Sequence, residues 1–114
     1  VILDAYNANP SSMKLAVENF AKINKRNKVV CLGGMRELGV ATLMEHQALI
    51  DQLKETNWAQ VVLVGTEFKP CVHSYHYFDS VIEAKAWLQA QQLSGYTLLI
   101  KGSRGIQMEQ LIAP

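Results

Sequence analysis

The sequence has few cysteines, no excess of charge and no long apolar run, and each shortage excludes a class of protein. Its 114 residues contain two cysteines, Cys31 and Cys71, too few for a disulfide scaffold, which favours a reducing compartment such as the cytoplasm. The net charge of +1 gives no electrostatic basis for binding nucleic acid or an acidic membrane. No apolar stretch approaches the roughly 20 residues that cross a bilayer, and no signal peptide is visible.

Several motifs of nucleotide-binding and hydrolytic enzymes are also missing. The chain has neither the P-loop motif G-x-x-x-x-G-K-[ST] nor the dinucleotide-binding motif G-x-G-x-x-G. If this domain contacts a nucleotide, residues outside it must therefore hold most of the phosphate. Ser103 lacks the G-x-S-x-G turn of a hydrolase nucleophile. A phosphate-accepting receiver domain needs an aspartate after a central strand, where this chain has Gly33-Gly34.

The spacing of Cys71, His73 and His76 resembles that of metal ligands, but other features oppose a metal site. The segment alternates like a strand, which directs successive side chains to opposite faces, and no fourth ligand is evident. We therefore expect no metal ion bound by this domain.

What is present is an alternation of strand and helix patterns in a chain of ordinary globular composition, 49% hydrophobic and 18% charged. Apolar or β-prone runs predict strands at residues 1–3, 29–32, 61–64, 75–78 and 96–101. The first of these is expected to be buried. Asn9 and Pro10 predict the start of a helix, and Ser80 with Glu83 predicts another. Leu43, Ile50 and Leu53 predict the apolar stripe of a helix between them, and a short helix is expected over 107–112.

The resulting order, β-α-β-α-β-β-α-β-α, predicts one three-layer, Rossmann-like α/β domain over residues 1–114, with a mainly parallel sheet flanked by helices. Polar or glycine-rich turns end its strands at 4–9, 33–37, 65–67 and 101–105. The carboxyl ends of parallel strands share one edge of the sheet, where ligands of such folds bind. Exposed backbone N–H groups there, with Arg36, Lys101 and Arg104, suit a phosphate or a carboxylate. For any single turn, the alternative is that glycine merely ends the strand.

Three motifs carry a resemblance to a known family. They are D-x-Y-N-A-N-P-x-S-M at Asp4–Met13, L-G-x-M-x-E-L-G at Leu32–Gly39, and K-G-S-R at Lys101–Arg104, which a Met-Glu pair follows. In this order and spacing, the chain resembles the C-terminal domain of the Mur ligases, and most closely the MurF-type branch. The resemblance covers almost the whole chain. The first motif is quite specific, whereas K-G-S-R alone is weak.

The resemblance implies that the chain is a fragment of a three-domain bacterial enzyme that acts in the cytoplasm in peptidoglycan synthesis. Such an enzyme uses ATP to activate the terminal carboxylate of a UDP-N-acetylmuramoyl tripeptide, which the amine of D-Ala-D-Ala then attacks. The resemblance implies that ATP and Mg²⁺ are held mainly by the absent central domain and the sugar nucleotide by the absent N-terminal domain. This domain alone is expected to be inactive and to hold no catalytic residue, and the enzyme is expected to be a monomer.

The resemblance also assigns expected roles to individual residues. Asp4 is expected to hydrogen-bond the ATP ribose, with Tyr6 and Asn7 near the nucleotide, while Asn9 fits better as a helix cap. The residues expected to face the incoming dipeptide are Arg36, Lys101, Ser103 and Arg104. Glu37 and His46 fit the family pattern without an assigned role. Many relatives carry Asp at the position of Gly34, so this chain lacks a carboxylate there.

Two other functions remain open from the sequence. One is a related ligase of the MurE or folylpolyglutamate-synthetase type, which adds a different amine. The sequence Tyr-Asn-Ala-Asn-Pro argues against this type. The other is a stand-alone nucleotide-binding module without chemistry. An upstream reading frame that contains a P-loop and a tripeptide-binding domain would exclude the second.

Overall fold

A computed structural model, which describes residues 1–4 and 7–114, contains a five-stranded sheet with helices on both faces. The strands are β1 (Ile2–Asp4), β2 (Lys28–Gly33), β3 (Gln60–Val64), β4 (His76–Phe78) and β5 (Thr97–Lys101). Their order across the sheet is β1-β5-β2-β3-β4, and each neighbouring pair is parallel. The predicted α/β class with a parallel sheet is confirmed.

Three α-helices connect the strands: α1 (Pro10–Lys22), α2 (Thr42–Leu53) and α3 (Val81–Ala90). Short 3-10 helices lie at Gly39–Ala41, Thr66–Phe68, Arg104–Ile106 and Met108–Ile112. The last of these replaces the predicted terminal helix. It begins one residue later than expected because Gln107 adopts a left-handed conformation with φ of 61°, which interrupts helical geometry. Within the described residues, no helix is long and apolar enough to span a membrane.

Both ends of α1 are fixed by side chains, as the chemistry of its termini requires. At the start, the Asn9 side chain accepts a hydrogen bond from the Ser12 amide (2.9 Å), while the Ser12 hydroxyl accepts one from the Asn9 amide (3.0 Å). Pro10 occupies the first turn, where its missing N–H costs nothing. At the end, the Lys28 ammonium donates to the carbonyl oxygens of Phe20, Ala21 and Ile23. The predicted cap at Asn9 is confirmed.

Two hydrophobic clusters lie on opposite faces of the sheet, and β2 shows how one strand serves both. Its residues Val30 and Leu32 face the cluster beneath α1 and α2, whereas Val29 and Cys31 face the cluster beneath α3 and the C-terminal 3-10 helix. Because successive side chains of a strand alternate between faces, a strand covered on both sides must be apolar throughout. This explains the unalternating apolar runs of β2 and β3.

Two predictions of burial are wrong. Ile2 and Leu3 are 42% and 45% exposed, because β1 is at the edge of the sheet and pairs only with β5. Leu43 is 50% exposed, because the first turn of α2 lines an open groove with Val40 and Val72 rather than the sheet. The buried residues of α2 are His46, Leu49, Ile50 and Leu53.

Candidate functional site

The turns after the strands meet at one edge of the sheet, and backbone hydrogen bonds join them. The Gly102 amide donates to the Asp4 carbonyl (3.3 Å), so the turn after β5 is attached to the end of β1. The Ser103 amide donates to the Gly34 carbonyl (3.3 Å), and the Gly34 amide donates to Val64 at the end of β3 (2.9 Å). Four turns from distant parts of the chain therefore form one surface, as a parallel sheet requires.

An ion pair with one buried and one half-exposed member holds the first of these turns. The side chain of Lys101 is only 4% exposed, and its Nζ lies 2.6 Å from Oδ2 of Asp4. The same ammonium donates to the carbonyl oxygen of Asn7 at 3.0 Å. The Asp4 side chain is 51% exposed, so its carboxylate has access to solvent while one oxygen is bound to the lysine. Lys101 thus fixes both Asp4 and Asn7 relative to β5.

An open cleft of about 550 Å³ lies beside this ion pair. The structure brings together there three of the four residues predicted to face a dipeptide: Arg36, Ser103 and Arg104. Asn7, predicted to lie near a nucleotide, also lines the cleft. The fourth residue, Lys101, is not in the lining and instead pairs with Asp4. Tyr6 lies outside the described residues.

The cleft is suited chemically to a small anion that carries planar oxygen atoms. Its lining has two guanidinium groups, of Arg36 and Arg104, against one carboxylate, of Glu37, and it includes the hydroxyl of Ser103. Ser103 is 7% exposed, and its buried Oγ has no hydrogen-bond partner within the described part of the chain. A buried hydroxyl without a partner costs about 1–3 kcal/mol, so a ligand oxygen that binds it recovers that cost. Arginine's fork of N–H donors matches the two oxygens of a carboxylate.

Glu67, which follows β3, is a site residue that sequence reasoning missed. Its Oε2 lies 3.2 Å from Nε of Arg36, and its side chain is only 15% exposed. The signal available in the sequence was its place in the turn after a buried strand, directly beyond Gly65 and Thr66. Its partner lies in the turn after another strand, a pairing that no local pattern indicates.

His46 has a structural position behind the cleft. It is fully buried, its Nε2 accepts a hydrogen bond from the Met35 amide (2.9 Å), and its Nδ1 lies 2.6 Å from the Thr42 carbonyl. These partners require a neutral ring protonated at Nδ1. The edge of the ring packs on Phe68, with centroids 4.9 Å apart. His46 therefore holds the turn after β2 against α2.

The histidines of the segment considered for metal binding have other partners. His73 Nδ1 accepts from the Tyr75 amide (3.0 Å), and His76 Nε2 lies 2.9 Å from the Gln60 side-chain oxygen. Residues 1–4 and 7–114 contain no group of three or more His, Cys, Asp or Glu side chains arranged to hold a metal ion.

These features define an α/β domain whose candidate site is built on the ends of parallel strands and whose sequence contains no P-loop motif. Residues 1–104 match the family model described as "Mur ligase, glutamate ligase domain". The chain belongs to this family of Mur ligase C-terminal domains.

Individual relatives agree with this assignment. The chain is 31% identical over 121 residues to the UDP-N-acetylmuramoyl-tripeptide–D-alanyl-D-alanine ligase of Rickettsia prowazekii, covering 98% of this chain and 26% of that protein. It is 32% identical over 119 residues to the enzyme of the same name from Treponema pallidum, covering 96% of this chain and 26% of that protein. The chain thus spans about a quarter of the length of these relatives.

Solved structures show the same architecture. MurF from Acinetobacter baumannii superposes with a TM-score of 0.79 at 31% identity, covering 96% of this chain and 25% of that one. MurF from Thermotoga maritima, solved in complex with ADP, superposes with a TM-score of 0.78 over 96% of this chain and 26% of that one. At 22% identity, the Thermotoga structure supports the fold alone.

Proposed function

We propose that this chain is the C-terminal domain of an ATP-dependent ligase that adds D-Ala-D-Ala to UDP-N-acetylmuramoyl tripeptide in peptidoglycan synthesis. The observation that carries the proposal is the cleft at the strand ends, where Arg36 and Arg104 lie beside Asn7 and the Ser103 hydroxyl, which has no partner among the described residues. Two MurF-type relatives that the chain matches over at least 96% of its length carry the name of this activity.

The dipeptide is the substrate that the cleft suits. D-Ala-D-Ala has a free carboxylate, which Arg36 and Arg104 bind through charge-assisted hydrogen bonds while the Ser103 hydroxyl supplies a further donor. Direct contact of Lys101 with the dipeptide would require the 2.6 Å pair with Asp4 to open. We therefore assign Lys101 the anchoring of Asp4 and of the turn that contains Asn7.

The nucleotide is proposed to contact the neighbouring turn. Asp4 has a half-exposed carboxylate at the end of β1, and two carboxylate oxygens suit the vicinal hydroxyls of a ribose. Asn7 is proposed to lie near the nucleotide beside Asp4, and the family resemblance gives Tyr6 the same role. ATP supplies the phosphoryl group that activates the tripeptide carboxylate. We assign its phosphates and Mg²⁺ to the central domain, because the described residues offer neither a P-loop nor a cluster of metal ligands.

The remaining parts of the proposal concern the whole enzyme. The N-terminal and central domains are the partners of this chain, and the enzyme acts as a monomer in the bacterial cytoplasm without nucleic acid or membrane insertion. The isolated chain is inactive, because the activated tripeptide and the phosphate site lie outside it.

The test uses the full-length enzyme and separates the two substrates. Arg104→Ala is expected to raise the KM for D-Ala-D-Ala about tenfold or more, the factor for a lost hydrogen bond to a charged group, with little change in the KM for ATP. Asp4→Ala is expected to raise the KM for ATP and to spare the dipeptide.

Asp51→Ala is the control, because it removes a carboxylate from an exposed ion pair with Lys54 on the outer face of α2. An unaltered KM for D-Ala-D-Ala in Arg104→Ala would dismiss the role of that residue. Turnover of a different amine in preference to D-Ala-D-Ala would indicate a sibling ligase.

A further inference from the structure

Glu67 occupies a slot that two glycines create. A β-carbon at Gly34 would clash with Oε1 of Glu67, and one at Gly65 would lie 2.8 Å from the same atom. Real β-carbons do not approach other atoms so closely, so the carboxylate sits where side chains of residues 34 and 65 would be. Gly34 follows β2 and Gly65 follows β3. Glycine after both strands therefore leaves room for the Glu67 carboxylate between the ends of β2 and β3.

In this slot, Glu67 uses one oxygen to hold Arg36. Its Oε2 lies 3.2 Å from Arg36 Nε, whereas Oε1 is buried and makes no hydrogen bond to any described residue. Glu67 is not among the residues that line the cleft, so the function available to its carboxylate is to act on Arg36 through Oε2. The Arg36 side chain is 53% exposed and passes Gly105, whose β-carbon would lie 3.7 Å from Nε.

The N–H donors of the Arg36 guanidinium fall into two sets, one bound to Glu67 and one directed elsewhere. Nε is bound to Glu67, and Glu67 is the only ion-pair partner that residues 1–4 and 7–114 provide for it. A guanidinium has five N–H donors, and the four on its two Nη atoms are separate from the one on Nε. An arginine fixed at Nε presents its Nη groups in one orientation, and less side-chain freedom is then lost when a ligand binds.

We propose that Glu67 is a positioning residue that fixes Arg36 to receive the carboxylate of the amine substrate, and that Gly34 is required because it leaves the slot open. This inference rests on the proposed function, because it takes the substrate carboxylate to bind in the cleft beside Ser103. It assigns to Glu67 a role in substrate affinity without contact with the substrate.

The experiment measures the KM for D-Ala-D-Ala, the KM for ATP and kcat in the full-length enzyme for Glu67→Ala, Arg36→Ala and the double variant. Arg36→Ala is expected to raise the dipeptide KM about tenfold or more, because it removes a charge-assisted hydrogen bond to the substrate. Glu67→Ala is expected to raise it about 2- to 10-fold, because the ligand must then order the Arg36 side chain itself. The KM for ATP is expected to be unchanged in both variants. The double variant is expected to match Arg36→Ala alone. Glu67→Gln retains an oxygen that can accept from Nε and is expected to restore most of the affinity.

Substitution of Gly34 gives a second test, in which the slot itself is probed. Gly34→Ala is expected to displace the Glu67 carboxylate, to raise the dipeptide KM and to lower the Tm. In the Glu67→Ala background, the same substitution is expected to have a much smaller effect on both quantities, because the carboxylate is gone and only the Cβ of residue 67, at 3.2 Å, remains close. Asp51→Ala again serves as the control for loss of an exposed carboxylate.

The outcomes distinguish the binding role of the cleft from the positioning role of Glu67. If Arg36→Ala leaves the dipeptide KM unchanged, the proposed role of the cleft fails, and this inference fails with it. If Arg36→Ala raises that KM but Glu67→Ala does not, or if their effects multiply in the double variant, only the inference is overturned. An equal cost of Gly34→Ala with and without Glu67 would refute the slot.

Discussion

The Asp4–Lys101 ion pair is expected to respond very differently to the loss of its two members. Lys101 is 4% exposed at its side chain, whereas the Asp4 side chain is 51% exposed. Lys101→Met keeps an unbranched side chain that is one atom shorter and removes its charge. Asp4→Asn keeps the shape of its side chain and leaves the lysine charge in place. The two substitutions remove the same ion pair, so any difference between them reports on the group that remains.

The magnitudes follow from burial. After Lys101→Met, the Asp4 carboxylate can be hydrated, and the Asn7 carbonyl loses one hydrogen bond, so we expect a loss of about 1 kcal/mol in the free energy of unfolding. After Asp4→Asn, a buried ammonium is left without an anion, a change that costs about 3–5 kcal/mol in typical buried pairs. The Asn7 carbonyl still accepts from Lys101, at 3.0 Å, so the lower end of that range is expected.

Urea unfolding of the chain, followed by the fluorescence of Trp58 and Trp87, measures these values. These two tryptophans pack against the clusters on opposite faces of the sheet and so report on both layers. In the Lys101→Met background, Asp4→Asn is expected to cost much less than it does in the wild-type chain, because no buried ammonium is then left without an anion. The reasoning is refuted if Lys101→Met costs as much as Asp4→Asn, or if the costs of the two substitutions add.

Three further predictions concern the scaffold. Asn9→Ala removes the acceptor at the start of α1 and is expected to cost about 1 kcal/mol in urea unfolding, whereas Asn9→Asp should cost much less. His46→Leu leaves the buried Met35 amide without its acceptor and is expected to cost about 1–3 kcal/mol, with the loss visible as faster amide hydrogen exchange at that residue. Burial raises the pKa of the Cys31 thiol to about 12 from 9.0, so Cys31 should resist thiol reagents at pH 8 until the chain unfolds. The unfolded thiol releases its proton first, so stability should fall by about 1.4 kcal/mol per pH unit as the pH rises from about 9 to 12, and Cys31→Ala should reduce that slope.

The parts of the fold that depend on local chemistry could be predicted from the sequence. The Asn9 cap follows from side chains three residues apart. The central strands β2 and β3 follow from apolar runs that only a sheet covered on both faces can bury. Once these strands are parallel, their ends share an edge, so the approximate place of the site follows as well.

The remaining features depend on which strands become neighbours. Ile2 and Leu3 have the composition of a buried strand, and only the position of β1 at the edge leaves them exposed. Lys101 pairs with Asp4 across 97 residues of sequence because β5 enters the sheet beside β1. The slot for Glu67 needs glycines at the ends of two different strands. Each of these features depends on which strands pair and in what register, and composition and periodicity do not determine that pairing.

The position of β5 between β1 and β2 explains how one short turn can serve both proposed substrates. At the end of β5, Lys101 fixes the turn proposed to contact the nucleotide, and two residues later Ser103 lies in the cleft proposed for the dipeptide. The Ser103 amide is bonded to the Gly34 carbonyl, so the same turn is attached to the strand end that makes room for Glu67. Amide formation needs the reacting groups held in one geometry, and displacements of about 1 Å are costly. A turn tied to both neighbouring strands limits such displacement, because neither half of the site can shift without breaking a bond to β5.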